Sequence, residues 1–247
     1  MKIFKLDNNH YISYRQQEFD KNDITLIYVH GLMSDMNGLK ARSIEEYAQK
    51  NQINYVVFDN LGHGESSGEY HNCNISSWLE TLTSIIKALG LKNCILIGSS
   101  MGGWISLLAA QLEMSEIAGL ILIAPAPDFT EKIWYLLSDK QRAIMKDGHI
   151  LSLRENLPIS YQLLEDGKKH LMLSKDKIHV GVPVIMMHGM EDNEIEYDVS
   201  LRLAKQLECP YLCTKLAKYS THRMGTEEDI TLLLNSIDEI IKICSRM

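Results

Sequence analysis

The stretch Cys94-Ile-Leu-Ile-Gly-Ser-Ser-Met-Gly-Gly-Trp104 constrains this chain more than any other. An apolar run leads straight into Gly98-Ser99-Ser100-Met101-Gly102, and apolar residues then resume at helical spacing. This is the pattern G-x-S-x-G set between a strand and a helix. A serine at the apex of so tight a turn sits on strained backbone, so the residues two positions away on either side cannot carry bulk. Gly103 adds room where the helix packs on the sheet. The Met101 N–H lies at the helix start, where amides favour developing negative charge. Glycine and serine are common in turns, so the rest of the chain has to decide between a reactive serine and an ordinary corner.

The segments around this stretch alternate between two kinds. Ile3 to Tyr14 reads as a hairpin of edge strands broken at Asp7-Asn-Asn9. Ile24–Val29, Tyr55–Phe58, Cys94–Ile97, Ile117–Ile123 and Val182–Met187 are nearly unbroken apolar runs, as expected of strands covered on both faces. Between them lie helical patterns. One runs around Ile44–Ala48, and another carries Ile75, Trp78, Leu79, Leu82, Ile85, Ile86 and Leu89 on one face and closes at Gly90. A helix around Ser200–Leu207, a strand around Tyr211–Leu216 and a helix opened by the capping pattern Thr226-x-x-Asp229 complete the chain. Strand and helix alternating in this way imply βαβ crossovers and an α/β fold with a mostly parallel sheet. The rhythm breaks over residues 128–181, which hold aromatic and charged residues, short helical patterns near Glu131–Leu137 and Ile159–Leu164, and no convincing buried strand. The expected organisation is one domain over residues 1–247 with a cap inserted at 128–181.

Composition excludes several classes. Hydrophobic residues at 45% and charged residues at 23% belong to a folded globular chain, and 247 residues can bury one large core. A net charge of −7 argues against a nucleic-acid partner and against electrostatic docking on anionic membranes. Five cysteines without a C-x-x-C fit free thiols better than disulfides or a metal site, although Cys209 and Cys213 could share a strand face. The N-terminus lacks the apolar run of a signal peptide, and no stretch approaches a transmembrane span. No stable membrane insertion and a cytoplasmic location are expected.

Functional residues of open α/β sheets gather beyond the carboxyl ends of the strands. Here those ends carry His30-Gly31-Leu32, Asp59, Ser100, Asp192 and His222. A serine hydroxyl needs a base to take its proton, and the imidazole needs a carboxylate to fix its tautomer. The order Ser100…Asp192…His222 is one of the known orders for such a triad. Glu191 and Asp198 stand close enough in sequence to compete with Asp192. His222 is the histidine that follows the final strand closely. His30 is expected to shape the neighbouring loop, Asp59 to cap its own loop, and His63 and His71 to be polar loop residues. The expected oxyanion donors are the N–H groups of Leu32 and Met101. Met33, Met190 and the cap residue Trp134 are expected to line the substrate site, although most of the twelve methionines must be core. Ile133, Leu136 and Leu137 would share a helical stripe with Trp134 toward its edge, either sealing the cap or lining a tunnel for an acyl chain.

Five of these segments together, His30–Gly38, Phe58–Gly64, Gly98–Trp104, His188–Asp192 and Thr221–Met224, resemble the α/β-hydrolase superfamily. More narrowly they resemble the mitochondrial palmitoyl-protein thioesterases, also named mycophenolic acid acyl-glucuronide esterases. The likeness covers about residues 24 to 243 and is weakest in the cap. It implies the α/β-hydrolase fold, with an eight-stranded sheet flanked by helices and a helical cap between the sixth and seventh core strands. It also implies no cofactor, and it assigns Ser100 as nucleophile with Asp192 and His222, and Leu32 and Met101 as oxyanion amides. The mitochondrial address is not expected to carry over. The expected activity is hydrolysis of carboxylic esters or thioesters, on a small molecule or an S-acylated protein, through an acyl-enzyme on Ser100. A serine aminopeptidase shares the whole triad, and a hydrolase-fold binding protein without turnover shares the fold.

Overall fold

A computed structural model describes residues 1–7, 9–19, 23–152 and 157–246. Strands β1 (Lys2–Lys5) and β2 (Tyr11–Gln17) form the edge hairpin. Strand β3 (Thr25–Val29), helix α1 (Leu39–Asn51), strand β4 (Asn54–Phe58), helix α2 (Ile75–Ala88), strand β5 (Cys94–Ser99), helix α3 (Met101–Gln111) and strand β6 (Ile117–Ile123) then alternate regularly. The inserted segment holds α4 (Phe129–Leu136), α5 (Asp139–Lys146), the short pair β7 (Leu151–Ser152) and β8 (Pro158–Ile159), α6 (Tyr161–Gly167) and β9 (Ile178–His179). The chain rejoins the sheet at β10 (Val184–Gly189) and ends with α7 (Asp198–Gln206), β11 (Leu207–Glu208), β12 (Leu212–Ala217) and α8 (Glu227–Cys244).

The main sheet has eight strands in the order β1-β2-β4-β3-β5-β6-β10-β12. Within it, among the described residues, only the β1–β2 and β2–β4 pairings are antiparallel, and the six strands from β4 to β12 run parallel. The order reverses between β3 and β5, so the crossovers lie on both faces and the strands must be apolar on both sides. Accordingly Leu26, Ile27, Val56, Val57, Ile95, Leu96, Leu120, Ile121, Ile185 and Met186 are fully buried. Alternate residues feed two cores. Ile27, Val29, Leu96 and Leu122 pack with α2, α3 and the inserted segment, while Leu26, Tyr28, Ile95 and Ile121 pack with α1 and α8.

The helix boundaries follow from local chemistry. Asn74 accepts the Ser77 N–H while the Ser77 hydroxyl reaches back, a capping box that starts α2 at Ile75. The same arrangement between Thr226 and Asp229 starts α8, and Gly90 takes a left-handed φ of +61° beyond the end of α2. Helix α5 spans eight residues, too short a run for a helical period to stand out, and the Ser138–Gln141 capping box starts it. Two local expectations need correction. The inserted segment does contain strands, but β7–β9 span two residues each and pair outside the main sheet. Cys209 lies ahead of β12 rather than on it with Cys213, and all five cysteines are free.

Among the glycines of the described residues, the closest backbone approach lies where α3 crosses β3. A Cβ on Gly102 would stand 2.0 Å from the Val29 carbonyl oxygen. Gly102→Ala is expected to cost about 3 kcal/mol or more of stability, because backbone must move to admit the methyl. Gly181→Ala, with open space at its Cβ, should stay within about 0.5 kcal/mol. Urea unfolding of the two variants beside the parent chain checks both.

Candidate active site

Strand β5 ends at Ser99, and Ser100 takes φ +54° and ψ −117° before α3 begins. That conformation costs a non-glycine residue about 1–3 kcal/mol, and the surroundings hold it in place. The Ser100 N–H donates to Ile123 O at 2.9 Å, and its carbonyl accepts from Gly103 N at 2.9 Å and Ala126 N at 3.1 Å. A Cβ on Gly98 would come within 2.4 Å of Gly102 O, so both flanking glycines are sterically required.

Two distant residues converge on this turn. His222 Nε2 stands 2.9 Å from Ser100 Oγ, and His222 Nδ1 stands 2.6 Å from Asp192 Oδ2. The other carboxylate oxygen, Oδ1, accepts the N–H groups of Glu194 at 2.8 Å and Ile195 at 2.9 Å. Burial by itself would raise the Asp192 pKa. Hydrogen bonds from His188, His222 and the Ile195 N–H outweigh burial and hold the carboxyl well below the usual range. Asp192 is therefore an anion, so His222 donates to it from Nδ1 and turns Nε2 toward the Ser100 hydroxyl. Glu191 and Asp198 are both exposed, and Asp192 is the carboxylate that reaches His222. The loop bearing His222 is pinned from two sides. Ser220 Oγ donates to Asp229, and the Glu191 N–H donates to Ser220 O at 3.0 Å. Gly189 permits that approach, since a Cβ there would stand 2.2 Å from Ser220 O.

The loop after β3 lies against the same turn: a Cβ on Gly31 would meet Ser100 Cβ at 3.2 Å. Two buried imidazoles brace it. His30 donates from Nδ1 to Gly31 O at 2.8 Å and accepts the Asn60 N–H at Nε2 at 2.9 Å. His63 contacts Leu61 O through Nδ1 at 3.1 Å and accepts the Met33 N–H at Nε2 at 3.3 Å. Burial pushes both down to about 4, so both are neutral near pH 7 and can accept as well as donate. Asp59 caps the loop as expected, taking the N–H groups of Met36 at 2.7 Å and Glu65 at 2.8 Å. Leu32 is half-buried and Met101 is buried. Among the described residues neither backbone N–H meets a protein acceptor, which leaves both free to bind an oxygen. His63 was expected to be only a polar loop residue; the available signal was its place between Gly62 and Gly64 in a loop following a strand end.

Met33 and Met190 are partly exposed, at 48% and 39%, on the loops that carry Leu32 and Asp192. Trp134 sits within the inserted segment, tilted against Tyr161, with Arg142, Lys146 and Lys168 around its ring at 5.1–5.7 Å. The stripe expected on α4 is split, with Leu137 buried, Ile133 half-buried and Leu136 76% exposed. The segment is anchored near the serine turn. Asp128 takes the N–H groups of Met172 and Leu173 at 2.8 Å each, and Trp104 Nε1 donates to His170 O at 3.2 Å. Among the described residues no cluster of His, Cys, Asp or Glu could hold a metal, and no helix is long and apolar enough to cross a membrane.

The alpha/beta hydrolase fold family matches residues 24–152, more than half of the chain. The mitochondrial palmitoyl-protein thioesterase ABHD10 of Mus musculus is 33% identical over 222 residues, covering 87% of this chain and 74% of the relative. The chain belongs to the α/β-hydrolase family. The solved structure of mouse alpha/beta hydrolase domain-containing protein 10 superposes with a TM-score of 0.89 at 28% identity, covering 98% of both chains. A hydrolase described as putative from Agrobacterium vitis S4 gives a TM-score of 0.89 at 30% identity over 98% of this chain and 97% of its own. The cytoplasmic location expected from the sequence is overturned by the names of the ABHD10 relatives from mouse, rat, cattle and human, all mitochondrial. The absence of an apolar run bears on secretory export, whereas mitochondrial presequences are amphipathic and Arg-rich.

The depressed pKa of Asp192 makes a prediction about stability. A carboxylate held below its unfolded value of about 3.9 contributes stability above that pH and loses it as the pH falls toward the folded-state value. Asp192→Asn is therefore expected to lower Tm clearly at pH 7, with the gap to the parent protein closing below about pH 4. Calorimetric scans across that range check it, and a gap independent of pH would contradict the charged state assigned here.

Proposed function

We propose that this protein hydrolyses carboxylic esters or thioesters through an acyl-enzyme on Ser100, with His222 and Asp192 completing the triad. The observation that carries the reading is the continuous hydrogen-bonded line from Ser100 Oγ through both nitrogens of His222 to Asp192, with the acid buried and charged. His222 Nε2 takes the serine proton as Oγ attacks the substrate carbonyl. The amides of Leu32 and Met101 receive the oxyanion, and the resulting imidazolium returns its proton to the leaving alcohol or thiol. Water, activated by the same imidazole, then releases the acid and restores Ser100. The intact serine, histidine and acid favour turnover over silent binding, and the thioesterase activity named for the ABHD10 relatives favours acyl thioesters or esters. S-acylated proteins and small acyl esters are both candidate substrates, with the acyl chain running past Met33 and Met190 beneath the 128–181 cap that Trp134 braces.

Ser100→Ala is expected to lower kcat by roughly four to six orders of magnitude, while Ser99→Ala stays active and labels with a fluorophosphonate. Labelling and turnover measured on both variants would overturn the assignment if Ser99→Ala were the inert one. If an apolar path receives the acyl chain, kcat/KM should rise about fourfold per methylene until the path is full. A panel of p-nitrophenyl esters and acyl-CoA thioesters from acetyl upward tests this; a flat profile would leave a short-chain esterase. Trp134→Ala should cost the long substrates more than the acetyl ones, because it loosens the cap rather than the triad.

A further inference from the structure

We propose that His188 is a positioning residue for the acid of the triad, its imidazole fixing the rotamer of Asp192 and sharing the oxygen to which His222 is bonded. This rests on the triad reading given above. Strand β10 carries His188 as its penultimate residue, and the turn after Gly189, closed by Asp192 N–H to Gly189 O at 3.3 Å, brings residue 192 back onto residue 188. His188 is fully buried, and both ring nitrogens are engaged. Nε2 lies 2.9 Å from Asp192 Oδ2 and 3.0 Å from Ile195 O, and Nδ1 lies 2.8 Å from Ser200 Oγ. Asp192 Oδ2 and Ile195 O are both acceptors, so Nε2 carries a proton. Ser200, fully buried in the first turns of α7, supplies the third contact and sets the ring plane. The line of hydrogen bonds thus continues past the acid, as Ser100–His222–Asp192–His188–Ser200.

This second imidazole has a chemical consequence. Asp192 Oδ2 accepts from His222 and His188 together, while Oδ1 accepts two backbone N–H groups. Each added donor withdraws charge from the carboxylate and weakens its pull on the His222 N–H, so losing the His188 donor should strengthen that pull. The other titratable groups around the line are engaged elsewhere or face solvent: Lys40 of α1 donates to Arg223 O, Asp229 of α8 holds Ser220 and Thr226, and Glu191, Asp198 and Arg223 are exposed. A purely structural histidine would affect stability and leave the titration of His222 alone.

The test is the pH profile of kcat/KM for His188→Met, His188→Gln and Ser200→Ala on one acyl ester, with Ser100→Ala alongside. His188→Met should lower kcat about 10- to 100-fold with KM little changed, and should move the acid limb up by roughly half to one pH unit. His188→Gln, which can still aim an N–H at Asp192, should recover at least about tenfold of that loss and return the limb toward its original position. Ser200→Ala, which only frees the ring, should shift the limb in the same direction by less, and it carries the test if His188→Met fails to fold. An acid limb unmoved in Ser200→Ala and in whichever His188 variants fold would overturn the role of His188. Should Ser100→Ala keep turning over substrate, the triad reading itself would have failed, and that result is distinct from the previous one.

Discussion

The backbone approach at the serine turn is the constraint on which everything else depends. Ser100 is held at a positive φ because its N–H and C=O are bonded to β6 and to the turns that follow. The turn closes only because α3 can press Gly102 against the end of β3 and Gly98 against Gly102. That pressure also brings the loop from Gly31 to Met33 next to the serine, so one steric arrangement positions the candidate nucleophile and both candidate oxyanion amides. The strain of order 1–3 kcal/mol stored at Ser100 is small beside the burial of the strands on either side, which is why the fold can hold it.

The polar groups around the turn divide into charged and neutral ones for a physical reason. Asp192 keeps its charge in a buried position because four hydrogen bonds replace the water it loses. His30 and His63 have no carboxylate partner of that kind, so burial drives them neutral, and as neutral rings they serve as both donor and acceptor in the loop after β3. Asp128 and Asp166 do similar structural work for the inserted segment. Asp128 takes two amides beyond α6, and Asp166 takes the Ser76 N–H and hydroxyl at the start of α2. The segment is thus tied to α2, α3 and the β6 exit, the last two of which also border the serine turn.

Much of this was legible in the residues themselves. Unbroken apolar runs required strands buried on both faces, and their alternation with amphipathic helices required parallel crossovers, which place chemistry at the strand ends. Glycines two residues either side of Ser100 announced the turn, and the order Ser100…Asp192…His222 at successive strand ends announced which side chains could meet. Helix α5 was not legible, because eight residues are too short a run for a helical period to stand out. The split of the α4 stripe was equally hidden, since nothing in Ile133–Leu137 says which side the neighbouring helices will cover.

The sequence by itself determined the sheet, the serine turn and the candidate serine and histidine, because these follow from local sterics, hydrophobic period and chain order. Tertiary structure alone decided which carboxylate among Glu191, Asp192 and Asp198 faces His222, since that depends on how the turn after β10 folds back. It also decided that His188 and His63 join the site. A histidine's role depends on what lies within 3 Å of its two nitrogens, and residues far apart in the chain supply those partners.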